Sequence, residues 1–76
     1  MGKFHWINDE VKIDFKVSVA MKNTMEEAEQ LDLEENPEYA AVADILDVMG
    51  KEAFVNKLIT RKQWDTIVER YPYPYS

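Results

Sequence analysis

The chain has 76 residues with no cysteine, one histidine, two glycines and a net charge of -6, which leaves room for a single core and excludes disulfides, thiolate zinc centres and glycine-rich phosphate loops. No apolar run approaches the ~18 to 20 residues of a membrane span, and the first residues carry neither a signal-peptide core nor a small-residue cleavage site, so a cytoplasmic protein is expected. Gly2 follows the first methionine, but Trp6 stands where myristoylation requires Ser or Thr, so no lipid anchor is expected.

From the N-terminus, Phe4 and Trp6 alternate with His5, and Asn8-Asp9-Glu10 has turn chemistry. Over residues 11–21 Val11, Ile13, Phe15, Val17, Val19 and Met21 alternate with polar or small residues. This period of two predicts an extended strand with one buried face. The two segments predict an antiparallel β-hairpin over residues 3–22, with lysines on its open face to discourage edge pairing.

Thr24 and Glu27 stand at the spacing of a capping box, which predicts a helix starting at Met25. Asp32, Glu34 and Glu35 oppose the helix dipole and end it near Leu33. Asn36-Pro37 has the chemistry of a new N-terminus, and Tyr39, Val42, Ala43, Leu46 and Met49 form a helical stripe that leads to Gly50 as a left-handed C-cap. A further helix runs from Lys51 through Phe54, Val55 and Leu58. A break near Thr60 is favoured, because Thr60 and Gln63 form a second capping box before Trp64, Ile67, Val68 and Tyr71, and Pro72 stops the last helix. The expected fold is a single α+β domain: the hairpin packed against three to four short helices over residues 24–71, then an extended tail over residues 72–76. Phe4, Trp6 and Trp64 are assigned to the core, since so small a chain needs every large apolar group it has.

The charge is unevenly distributed. Residues 24–52 carry ten acids against Lys51 alone, whereas both flanking segments are slightly basic. The acidic run predicts either a solvated helix face or a surface that competes with nucleic acid for a basic groove. Glu26, Glu27, Glu34, Glu35 and Glu38 are the candidate contacts. The alternating Tyr71-Pro72-Tyr73-Pro74-Tyr75 favours an extended tail that docks on a partner through Tyr73 and Tyr75, folds back over the core, or stays disordered.

Other chemistries find little support. His5 has no neighbouring general base or metal ligand in the sequence, and neither Ser18 nor Ser76 lies in a nucleophile motif. The oxygen ligands of residues 32–36 do not make a calcium loop, because Pro37 replaces the required glycine and Ala43 the bidentate glutamate. A helix-turn-helix around Gly50 would turn Glu52 and the upstream acids towards phosphate, so direct nucleic-acid binding is not expected.

The order of hairpin, capping box and acidic helix over Lys12 to Gln30 is similar in style to small phage and prophage accessory proteins. The run from Phe54-Val55 through Leu58-Ile59-Thr60 to Trp64 looks like the helical hairpins of phage tail-region proteins. These resemblances cover about half the chain and carry over no functional residue. The expected function is non-enzymatic, without cofactor or metal: binding to another protein with a basic, nucleic-acid-handling surface, as a phage-encoded inhibitor would. The alternative is a structural or assembly accessory, of virion or tail type, that acts by self-association.

Overall fold

A computed structural model describes residues 3–75, and Gly2 and Ser76 lie outside the described residues. Three helices make the framework: α1 (Val19–Leu33), α2 (Tyr39–Val55) and α3 (Arg61–Arg70). Helix α2 is central and packs against both of the others. Among the described residues there is no β-strand, so the expected α+β fold and its N-terminal hairpin are corrected to an all-helical fold with an extended N-terminal strap.

The alternation is reproduced in space as far as Ser18, whereas Val19, expected on the buried face, begins α1 and is 75% exposed. Val11, Ile13, Phe15 and Val17 are half-buried, while Lys12, Asp14, Lys16 and Ser18 are exposed. A period of two states that a chain is extended with one face down; it does not state what lies beneath. Here Ile13, Phe15 and Val17 rest on the helical core, as do Phe4 and Trp6. The supposed first arm departs furthest from a strand, because the consecutive amides of His5, Trp6 and Ile7 all donate to the Asp32 carboxylate at 2.6, 2.9 and 2.8 Å. Successive residues of a strand face opposite ways, so that convergence requires a curled backbone.

Helix α1 begins six residues before the expected Met25. Ser18 is its N-cap and accepts from the Met21 amide at 3.1 Å. The Thr24–Glu27 spacing is coincidental: Thr24 lies inside the helix and its hydroxyl donates to the Ala20 carbonyl at 2.9 Å. The buried stripe is Met21, Met25, Ala28 and Asp32. The end at Leu33 agrees with expectation, and its cause is a Schellman closure in which the Asn36 amide donates to the Leu31 carbonyl at 2.9 Å. Glu35 supplies the left-handed residue, with φ 54°.

Asn36 opens the next turn by accepting from the Glu38 amide at 2.9 Å, and α2 then runs past Gly50 to Val55. Gly50 is therefore not a cap. A Cβ there would stand 2.6 Å from Cδ1 of Trp64, so the missing side chain is what admits the indole of α3 against α2. The left-handed residue that does close α2 is Lys57, φ 62°, with the Leu58 amide donating to the Ala53 carbonyl at 2.8 Å. The break before α3 agrees with the sequence, and the capping box is formed: the Gln63 amide donates to the Thr60 hydroxyl and the Thr60 amide to the Gln63 side chain.

Tyr39, Leu46 and Ile67 are the largest apolar side chains buried almost completely, and they join α2 to α3 at the centre. Trp6 stacks on Tyr39 with ring centroids 5.1 Å apart, which brings the strap into the same core. Trp64 is clasped by Phe54, by the Arg61 guanidinium over its face and by Asp47, whose carboxylate accepts from the indole at 3.0 Å.

Candidate interaction surface

Of the ten acids of residues 24–52, Asp32 and Glu29 hold the strap and Tyr71, Asp47 holds the Trp64 indole, and the rest are exposed. Asp32 lies on the buried stripe of α1 and has no exposure. Its two oxygens take the three strap amides, so its charge is neutralised by oriented backbone dipoles. Glu29 lies at the edge of the same stripe, where it accepts from the Tyr71 hydroxyl at 3.0 Å and stands 3.7 Å from the Arg70 guanidinium. Sequence reasoning counted both in the acidic run and gave neither a structural task. The only signal that singles out Asp32 is its helical spacing from Met21, Met25 and Ala28, which placed a charged residue on an apolar stripe.

Glu26, Glu27, Glu34, Glu35 and Glu38 form the outward set, and all five are exposed. In α1 the ridge of Asn23, Glu27, Gln30 and Glu34 lies opposite the buried stripe, and Glu26 adjoins it. Gln30 donates to Glu34 at 2.9 Å. Glu35 occupies the left-handed turn, 3.9 Å from the His5 imidazole, and Glu38 follows at the N-cap of α2 without making a side-chain cap. Three of the five therefore share one helix face, and two continue from it along the α1–α2 connection.

Tyr73 and Tyr75 are 45% and 64% exposed and meet edge to face, with centroids 5.9 Å apart. The first half of the tail is bound into the fold. Tyr71 is in the core, and the Tyr39 hydroxyl donates to the Pro72 carbonyl at 3.1 Å. Burial raises both phenols: Tyr71 is pushed up to about 12, with Glu29 adding to the effect, and Tyr39 is raised further by burial beside Asp32.

Arg70 ties α3 to the strap and to α1. Its side chain is only 12% exposed, and it donates to the Val11 carbonyl at 2.6 Å and to the Tyr71 hydroxyl at 3.2 Å, with Asp9 3.7 Å away. Its own carbonyl accepts from the Asn8 amide at 2.9 Å. Burial pulls the guanidinium pKa down, but Tyr71, Glu29 and Asp9 more than offset this and hold it more firmly protonated.

Two clefts border the strap. The larger, about 530 Å3, has Phe15 and Met25 on its floor and Lys12, Lys22, Glu26 and Glu29 among its walls. The smaller, about 260 Å3, is mainly apolar around Met21, Met49, Ala53 and Ile59. His5 lines neither. Among the described residues no three His, Cys, Asp or Glu side chains gather as a metal-ligating group, and no helix is long and apolar enough to cross a membrane. Comparison with protein-family models, with curated proteins and with solved structures gives no match in any of the three.

Proposed function

We propose that this chain is a cytoplasmic, non-enzymatic binding protein whose outward acids engage the basic surface of a larger, nucleic-acid-handling protein, in the manner of a phage-encoded inhibitor. One observation carries the reading: Glu26, Glu27, Glu34, Glu35 and Glu38 reach solvent, and among the described residues none of them accepts a hydrogen bond from the strap, α3 or the tail, as Asp32, Glu29 and Asp47 do. The outward charge is thus not required by the fold. Carboxylates held on a helix and its following turn can stand in for a run of phosphates against a basic groove, and such contacts steer association and weaken with salt. Tyr73 and Tyr75 supply apolar contact area at the C-terminal side of the molecule.

The test is capture of partners from a bacterial lysate at low and high salt, repeated with Glu26, Glu27 and Glu34 reversed to lysine. A basic nucleic-acid-handling protein retained at low salt, and lost on reversal while the circular dichroism is unchanged, supports the proposal. Retention that ignores both salt and reversal reduces the acidic face to solvation.

A further inference from the structure

Helix α2 is apolar on two sides, and the chain covers only one of them. Val42, Ala43, Leu46 and Ala53 face the core. On the other side Ala41, Ile45, Val48, Glu52 and Val55 follow at spacings of four, three, four and three residues. That period of 3.5 keeps a seam facing one further helix when the two wind slightly about each other. Ile45, Val48 and Val55 are 48%, 52% and 64% exposed, and Ala41 and Glu52 are exposed too. Asp44 and Lys51 flank the seam on one edge. Both are exposed, and neither belongs to any ion pair among the described residues.

We infer that this face takes α2 of a second copy of the chain, packed antiparallel about a two-fold axis between Ile45 and Val48. Charge complementarity selects this occupant. In the antiparallel register Ile45 meets Val48 of the other copy twice, and Asp44 of each copy lies beside Lys51 of the other, so one sequence supplies two opposite-charge pairs. Glu52 then faces the small Ala41, past which its carboxylate reaches water. A parallel register would instead set Glu52 against Glu52 within the seam, and a purely basic helix would meet Lys51. The pairing uses none of the five glutamates of the proposed partner face, so either surface can fail without the other.

Sedimentation equilibrium of the full chain, from micromolar to near-millimolar concentration, tests the inference. A reversible dimer is expected. Val48→Glu abolishes it while circular dichroism, and thermal melting at concentrations where the parent is monomeric, stay unchanged, because Val48 lies outside the core. Asp44→Lys alone weakens the dimer about tenfold by setting lysine beside lysine, and adding Lys51→Asp restores it by exchanging the charges of both pairs. A chain monomeric throughout, a dimer that survives Val48→Glu, or a double exchange no tighter than the single one overturns it.

Discussion

The Asp32 carboxylate accepts from the backbone amide of Ile7, 25 residues earlier, at 2.8 Å, in a position closed to solvent. The amides of His5 and Trp6 complete the arrangement, so one side chain of α1 fixes the path of three successive strap residues. Asp32→Asn keeps the shape but puts an amide donor where two donors already converge. It is expected to lose about 2 to 4 kcal/mol, the range for breaking a buried charged hydrogen-bond set. Urea denaturation checks this, with Glu27→Gln, on the exposed ridge, expected to stay within about 0.5 kcal/mol of the parent.

Lys57 closes α2 in the left-handed region at φ 62°, where a Cβ is costly. Lys57→Gly is expected to stabilise by about 0.5 to 1 kcal/mol, since relief of that backbone conformation exceeds the added unfolded-state freedom. A raised melting temperature with an unchanged denaturant slope is the expected outcome. A lower one would show that the lysine side chain contributes more than its backbone costs.

Gly50→Ala sets helix propensity against packing. Alanine is favoured by ~1 kcal/mol in a helix interior, but its methyl would lie 2.6 Å from an indole held by Phe54, Arg61 and Asp47. Packing prevails in this comparison, with a net loss of about 1 to 2 kcal/mol and a shift in tryptophan fluorescence. Adding Trp64→Leu to the same chain should recover part of the loss.

The buried phenols give a pH dependence of known sign. Tyr71 is pushed up to about 12 and Tyr39 is raised further, both by burial. The unfolded chain therefore releases these protons first, and stability is full below pH 10 and falls as pH rises from ~10 towards ~12. Each phenol contributes a slope of up to ~1.4 kcal/mol per pH unit in that window. Denaturation followed at several alkaline pH values should show the fall, and Tyr71→Phe should make it shallower, leaving the part due to Tyr39.

Local signals were legible where a few neighbouring residues decide the outcome. Thr60 with Gln63 gave α3 its start, and the polar run after Leu31 marked the end of α1. Alternation read over residues 11–21 describes an extended, one-sided segment only as far as Val17, where α1 takes over, and the same pattern serves a strand on a sheet and a strap on helices. The start of α1 was missed because Ser18 caps it without the matching glutamate, while Thr24 and Glu27 show that spacing inside the helix. Gly50 was misassigned because a glycine that ends a helix and one that admits a neighbouring ring look alike in one dimension. The sequence shows the acidic run, but the structural tasks of Asp32 and Glu29 within it become legible only once the strap and Tyr71 are in place.

The attachment of the strap has a consequence for the order of events during synthesis. Asn8 and Val11 are fastened to Arg70, and Arg70 and Tyr71 to Glu29, so the N-terminal segment is held by residues translated some sixty positions later. Helices α1 and α2 can form as they emerge, and they offer the strap Asp32 and the face of Tyr39, whereas its hydrogen bonds at Asn8 and Val11 wait for α3. Closure of the fold therefore waits for Arg70, and a nascent chain paused before it presents Phe15 and Met25 without their Arg70–Tyr71 neighbours.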